Sequence, residues 1–155
     1  MALQIIKAKP NPLGKDRFGG LPLVASQLAA EWIDIANTGI TSESLNGFVL
    51  YHKTFNDFCM ELRFDDVIAF RGVIKSGEVI RIHTGNQISL NQMYPEDIQG
   101  ADYHLFTGVS YIWNNKCGDT AVIYNSFTKL VVDKAYYDPN PPEGRILRRI
   151  GNKLI

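Results

Sequence analysis

The residues best suited to chemistry are a cysteine and an aspartate two positions apart, Cys117 and Asp119. They lie in the turn-rich stretch YIWNNKCGDTAVIYNS, residues 111–126. A catalytic cysteine needs a general base close in space and hydrogen-bond donors that stabilise an oxyanion. All three histidines of the chain are remote from Cys117 in sequence. A cysteine nucleophile would therefore depend on the fold to supply its base.

The side chains that could bind zinc are His52, His83, His104, Cys59 and Cys117. Zinc sites usually contain one closely spaced ligand pair, and the nearest pair here, His52 and Cys59, matches no common spacing. His83 falls on the face of its strand opposite Ile80 and Ile82, so we expect it to be exposed or at the rim of the sheet. We predict no metal site from these residues.

Carboxylates form a third group, with the adjacent pairs Asp65-Asp66 and Glu96-Asp97 and the single Asp119. Oxygen ligands suit calcium, but no D-x-D-x-D-G loop is present, and a weak calcium site near Asp119 or Asp97 is the alternative left open. The sequence also lacks a phosphate-binding loop, a G-x-S-x-G elbow and a dinucleotide-binding fingerprint. We therefore predict a protein that is not an enzyme and has no cofactor.

Two cysteines are too few for a disulfide-rich scaffold. A single disulfide between Cys59 and Cys117 is one alternative, and two buried free thiols are the one we favour. The N-terminal MALQIIKAKPNP has no apolar run typical of a signal peptide, and no segment approaches the ~20 apolar residues of a membrane span. We expect a cytoplasmic protein without a membrane span, with export left open.

The elements that would position these residues are short strands. In EWIDIANTG (31–39), Ile33 and Ile35 share one face while Trp32 and Asp34 share the other. Further strands are expected at the N-terminus, after the turn pair Asn46-Gly47, and over 78–84, 120–124 and 130–137. We expect residues 86–110 to be a loop, and 54–72 to be an aromatic insert with a small core of its own or a recognition surface. This pattern predicts an all-β antiparallel sandwich.

Charge is balanced overall, with 16 basic and 16 acidic residues, but both ends are basic. Residues 1–30 carry a net +3 and residues 145–155 a net +4. We divide the chain into a sandwich domain, 1–144, and a basic amphipathic tail, 145–155. On a helical wheel, the cations Arg145, Arg148, Arg149 and Lys153 lie opposite Ile146, Leu147, Ile150 and Leu154. The tail could bind nucleic acid or an anionic surface; we favour that it folds back on its own domain or adds to a neighbouring copy.

Five motifs occur in an order that resembles the lamin tail domain, over about residues 4 to 138. They are the N-terminal strand ending in Asn-Pro, EWIDIANTG, SLNGFVL, GEVIRIHTG, and WNNKCGDTAVIYN followed by VVDKAYYD. The resemblance implies an immunoglobulin-like β-sandwich and a stand-alone member of the bacterial type. It assigns structural roles to Trp32, Asn37, Gly47, Trp113, Asn114, Gly118 and Asp119. By the resemblance, Trp32 lies in a central strand that ends in a turn at Asn37, Trp113 lies in the core, and Asn114, Asn115, Gly118 and Asp119 form the turn of the corner. Cys117 then lies in a structural corner, so we do not expect it to be catalytic.

The chain has neither the coiled-coil rod nor the prenylation signal of lamins, so filament assembly is not expected. The expected function is a non-catalytic interaction module that binds a protein partner or associates with itself. Its contact would be an exposed strand edge or the 54–72 segment. The alternative function is binding of nucleic acid or an anionic surface through the basic termini.

Overall fold

The structure is a computed structural model that describes residues 2–15 and 24–155. Its strands are β1 (Leu3–Lys9), β2 (Trp32–Asn37), β3 (Glu43–Ser44), β4 (Phe48–Phe55), β5 (Glu61–Ala69), β6 (Val73–Ile74), β7 (Val79–His83), β8 (Tyr103–Phe106), β9 (Asp119–Asn125), β10 (Leu130–Tyr137), β11 (Leu147–Ile150) and β12 (Lys153–Leu154). The helices are α1 (Ala25–Ala29), a 3₁₀ turn (Leu90–Gln92) and α2 (Pro95–Ile98). None of the helices in the described ranges has the length and hydropathy needed to cross a bilayer.

Ten of the strands form one curled sheet in the order β5-β4-β9-β10-β12-β11-β1-β2-β7-β8, and β3 pairs with β6 separately. Neighbours are antiparallel except for β10 with β12 and β7 with β8, which are parallel. The short β12 joins two halves of the sheet, whose inner faces pack together. The prediction of an all-β, immunoglobulin-like sandwich is confirmed at this level of architecture.

Alternating side chains build the core between the two halves. Ile33 and Ile35 of β2 are buried in the same cluster as Leu50 of β4 and Ile123 of β9. Each large aliphatic side chain removed from water in this way contributes roughly 1.5–3 kcal/mol before the cost of ordering the chain. The period of two in the sequence therefore identified the core face of the central strands.

Several segments that the sequence left open take definite structure. Residues 25–29 form α1, whereas residues 16–23, including Asp16 and Arg17 of the basic N-terminal segment, lie outside the described residues. The expected 86–110 loop contains α2 and the strand β8, so the loop prediction is wrong over those elements. The 54–72 segment completes β4 and forms β5, and the small separate core expected for it is absent among its described residues, since Phe58 is 85% and Phe64 42% exposed.

The C-terminal tail is not helical. Residues 147–150 and 153–154 form β11 and β12, and β11 pairs with β1 through the register partners Lys7 and Arg148. Leu147 and Leu154 are buried in the common core. The interpretation that the tail folds back on its own domain agrees with this arrangement, and the amphipathic helix does not form.

Candidate interaction surface

The outer face of β4, β5, β9 and β10 carries a mostly apolar groove. Its volume is about 310 Å³, and its lining side chains, called here the aromatic groove, are Tyr51, Phe64, Val122, Tyr124, Val131 and Lys134. The rings of Tyr51 and Tyr124 meet edge to face with centroids 6.0 Å apart. The ammonium of Lys53 lies 5.4 Å from the centre of the Phe64 ring. An apolar groove with cations at its margin is a surface suited to apolar and aromatic side chains of another polypeptide.

The groove borders strand β5, which is an end strand of the ten-stranded sheet. Two side chains of β5 itself are largely exposed: the exposed fractions of Leu62 and Phe64 are 56% and 42%. Residues 61–69 contain no lysine or proline, although four charged side chains and two β-bulges, features that also protect edge strands, are present. Among the described residues no strand pairs with the outer side of β5, and this edge carries exposed apolar side chains.

The tip of the β4–β5 hairpin is held in a fixed shape. The side-chain oxygen of Asn56 accepts hydrogen bonds from the backbone N–H groups of Phe58, at 2.9 Å, and Met60, at 3.0 Å. Cys59 has a positive φ of 57° and forms a disulfide bond with Cys117. The prediction of two free thiols is therefore wrong. The curled sheet brings the hairpin tip over the corner before β9, which a separation of 58 residues does not reveal.

The corner before β9 is organised by Asp119, which is buried at the start of that strand. Its carboxylate accepts hydrogen bonds from the backbone N–H groups of Lys53 at 2.9 Å, Thr120 at 2.7 Å and Asn114 at 3.1 Å. The Nδ1 atom of His52 lies 3.2 Å from the same carboxylate. Asp119 thus connects β4 to the corner, and these contacts use it as a structural anchor.

The other predicted residues of this corner also have structural contacts. Trp113 is buried in the core, as expected, with its ring 5.8 Å from that of His52. The side-chain oxygen of Asn114 accepts from the N–H of Cys117 at 2.7 Å, which closes a turn. Gly118 has a φ of +70°, and a Cβ there would collide with the carbonyl oxygen of Tyr137. The corner forms as predicted, except that Asp119 belongs to β9.

The remaining motif residues lie away from the aromatic groove. Asn37 ends β2, and its side-chain amide donates to the carbonyl oxygens of Thr41, at 2.8 Å, and Ile74, at 3.1 Å. Gly47 forms the predicted turn with φ +87°, and a Cβ there would lie 2.6 Å from the Phe127 ring. These two residues shape turns.

Trp32 and His83 belong to a buried polar layer on the outer side of β2 and β7. The indole N–H of Trp32 donates to Asp97 at 2.8 Å, and the Arg81 guanidinium lies 3.7 Å from the centre of the Trp32 ring. Arg81 also binds both carboxylate oxygens of Asp34, at 2.7 and 2.8 Å. The expectation of an exposed or rim His83 is wrong, because this face of the sheet is covered by further chain, including α2 with its buried Asp97.

His83 is held between two partners in this layer. Its Nδ1 lies 2.6 Å from the carbonyl oxygen of Ala29, and its Nε2 lies 2.7 Å from Nδ1 of His104. The carbonyl can only accept, so Nδ1 of His83 is the donor. Burial lowers the pKa of His83 to about 4 and also lowers the pKa of His104. Burial raises the pKa of Asp34, against the opposing effect of Arg81.

The four cations of the predicted tail site do not form one patch. Arg149 binds the carboxylate of Asp133 through two nitrogens, at 2.9 and 3.0 Å, and Lys153 pairs with Asp138. Arg145 and Arg148 are exposed. From the N-terminal segment, Lys9 and Lys15 are likewise buried in ion pairs, with Asp97 and Glu31 respectively. The two basic ends meet in space, but much of their charge is already neutralised.

The carboxylates considered as calcium ligands are dispersed. Asp97 and Asp119 are buried in separate networks, whereas Asp65 lies on the edge strand with Arg63, whose Nε is 2.7 Å from its Oδ1. Within residues 2–15 and 24–155, no group of three or more histidine, cysteine, aspartate or glutamate side chains is placed to hold a metal ion.

The sequence left residues 54–72 as an insert with its own small core or as a recognition surface, and it did not predict strand β5. Two β-bulges interrupt the β4–β5 register, between Leu50 and Tyr51 and between Thr54 and Phe55. Each bulge shifts the alternation of the strand by one residue. Only the run Arg63 to Asp66 lies between the bulges, and with a single apolar residue it carries no alternation that would reveal the strand.

Comparison with protein-family models and with curated proteins finds no match to this sequence.

Proposed function

We propose that this protein is a non-catalytic interaction module of the lamin tail domain type, and that it binds another polypeptide through strand β5 and the aromatic groove. The observation that carries the proposal is the open β5 edge beside the groove. An extended segment that adds to such an edge gains main-chain hydrogen bonds, and pockets on the sheet face select its alternate side chains. The sequence motifs and the sandwich architecture support the family assignment.

A non-catalytic role is supported by the state of the best nucleophile candidate. The sulfur of Cys117 is bonded to Cys59, so no thiolate is present at that position to attack a substrate. The neighbouring carboxylate of Asp119 is occupied by three backbone N–H groups. Both residues therefore serve the corner that holds the β4–β5 hairpin.

Peptide selection tests this proposal directly, since it requires no identified partner. A random peptide library is selected against the full chain, and the bound peptides are mapped by backbone amide chemical shifts. We expect shifts concentrated in residues 61–69 and in the groove, and loss of binding in Phe64→Lys. The matched control is Ile40→Lys, because the Ile40 side chain is 95% exposed and belongs neither to strand β5 nor to the aromatic groove. Peptides that bind equally to both variants, or that map elsewhere, would overturn the proposal.

Nucleic-acid binding is the second candidate function, and one observation favours it. Strands β1 and β11 are neighbours, and Lys7 stands opposite Arg148 in their register. This pairing brings one cation from each basic end of the chain into a small basic area. If this area binds phosphates, DNA affinity should fall steeply with salt, by a slope set by the few cations involved. An affinity unaffected by salt would exclude it.

A further inference from the structure

We infer that the segment that occupies the β5 edge is strand β5 of a second copy of this chain, antiparallel to the first and related to it by a two-fold axis at Phe64. The inference rests on the proposed function and specifies its partner. Two-fold pairs are self-complementary, so each residue on one copy must suit its counterpart on the other. The charges of β5 and the backbone direction of Phe64 meet this condition in one register.

The first constraint is the direction of the backbone groups. The N–H of Lys53 donates to Asp119 of β9, so the backbone of Lys53 faces away from β5. Phe64 is its register partner, and in an antiparallel ladder the N–H and C=O of Phe64 then point away from β4, toward the open edge. Tyr51 lies two residues before Lys53 in β4, so its backbone groups also face away from β5. The backbone N–H and C=O of its register partner Asp66 therefore point toward the open edge as well. An incoming strand can therefore bond to Phe64 and Asp66, and in a pairing centred on Phe64 the residue opposite Asp66 is Leu62 of the other copy, the extra residue of a β-bulge that has no register partner on β4.

The second constraint is charge across the new pairing. An axis at Asp65 or at Asp66 places two aspartates directly opposite each other, and an axis at Arg63 opposes two arginines. Like charges in directly opposed positions destabilise a strand pair. An axis at Phe64 instead places Arg63 of each copy opposite Asp65 of the other. This register creates two opposite-charge pairs and none of like sign between residues 62 and 66.

One other register has complementary charges, with its axis at Leu62 and Glu61 opposite Arg63. It requires Met60 to bond across the edge to Phe64 of the other copy. The backbone of Met60 is already used in the hairpin turn, because its N–H donates to the Asn56 side chain and its carbonyl accepts from the Asn56 N–H, both at 3.0 Å. The Leu62 register is therefore excluded, and the Phe64 register remains.

Side chains on both faces fit this pairing. Arg63 and Asp65 already interact within one strand, and their side chains are 68% and 39% exposed. In the dimer, the Arg63 and Asp65 side chains of both copies would form a cluster of four charges that alternate in sign. The Cβ atoms of directly opposed residues would be about 4.5–5.5 Å apart. On the opposite face, the two Phe64 rings would meet at the axis and join the two aromatic grooves. The pairing covers exposed aromatic area that an isolated copy leaves in water.

Charge reversal tests the register by sedimentation equilibrium on the full chain. We expect the natural chain to dimerise, and R63D and D65R each to raise the dimer dissociation constant at least tenfold, since each places two like pairs at the interface. An equimolar mixture of the two variants should recover association as a heterodimer, because two aspartates on one copy then face two arginines on the other. The doubly exchanged R63D/D65R should dimerise with itself.

The outcomes separate this inference from the proposed function. A natural chain that stays monomeric up to millimolar concentration, while peptides still bind at residues 61–69, overturns the second copy as partner and leaves the proposed function in place. Dimerisation unchanged in both single variants overturns the register. Thermal unfolding of each variant, expected to match the natural chain at these exposed positions, shows that any loss of association is not a loss of fold.

Discussion

Cys59 and Cys117 are joined by a disulfide that fastens the tip of the β4–β5 hairpin to the corner before β9. The bond closes a long loop of the chain and fixes one end of the β5 edge. In the loop-entropy description, a closed loop of this length stabilises the folded state by about 4 kcal/mol, and measured values commonly fall lower.

Removing the disulfide should therefore destabilise the protein without changing its fold. For Cys59→Ser/Cys117→Ser we expect the free energy of unfolding to fall by about 2–4 kcal/mol, measured by urea denaturation. Reducing agent added to the natural chain should have a similar effect and should leave the double variant unaffected. Equal stability of the two proteins under oxidising conditions would contradict this role.

We expect Asp119 to contribute more to the free energy of unfolding than an exposed aspartate such as Asp138. Asp119→Ala removes the acceptor of three backbone N–H groups at a buried site, and we expect a loss of about 3 kcal/mol. Asp138→Ala is the matched control, because that side chain is 63% exposed and its ion pair with Lys153 lies at the surface. Its effect should stay within about 0.5 kcal/mol. Urea unfolding of both variants makes the comparison.

His83 should make stability depend on pH. Its pKa is lowered from 6.5 to about 4 in the folded state, so its stabilising contribution is complete above pH 6.5 and is lost as pH falls toward 4. Between these limits the unfolded chain binds the proton and the folded chain does not, which gives a slope of about 1.4 kcal/mol per pH unit.

The variant His83→Gln isolates this effect, because Asp34 and His104 are retained and contribute in both proteins. The difference in unfolding free energy between the natural chain and the variant should shrink as pH falls from 6.5 to 4. Two parallel curves over this range would show that His83 takes up its proton in the folded state.

Two neighbouring arginines of the C-terminal segment should behave differently. Arg149→Ala breaks the paired bonds to Asp133 and a bond to the Ile5 carbonyl, and should cost about 1–3 kcal/mol of stability. Arg148→Ala should leave stability nearly unchanged, since Arg148 is exposed. If the second candidate function holds, Arg148→Ala lowers DNA affinity and reduces the salt slope by about one ion. DNA binding unchanged in Arg148→Ala counts against that function.

The sequence predicted strand faces better than it predicted what covers them. The alternation of Ile80 and Ile82 correctly located the core side of β7, and the same parity placed His83 on the other side. That other side proved to be buried too, because α2 and its connections cover it. The alternation of residues along a strand shows which face of the sheet a side chain is on. Whether that face is exposed depends on segments distant in sequence, and the strand's own residues do not show which segments cover it.

The sequence also did not predict which distant segments of the chain pair with each other. Nothing in the local sequence of Cys59 or Cys117 reports that the sheet curls to bring them together. For the tail, the spacing of Leu147 and Leu154 suited a helical wheel, yet both leucines face the core from strands. The sequence predicted one charged face of Arg145, Arg148, Arg149 and Lys153, and the structure divides these residues between ion pairs and solvent.

The position of β12 has a consequence for how the protein is made. This strand joins the two halves of the sheet, and β1, the first strand, pairs with β11, nearly the last. A nascent chain emerging from the ribosome cannot form these contacts until residues 147–154 have been synthesised. Completion of the sandwich is therefore expected to follow synthesis of β11 and β12.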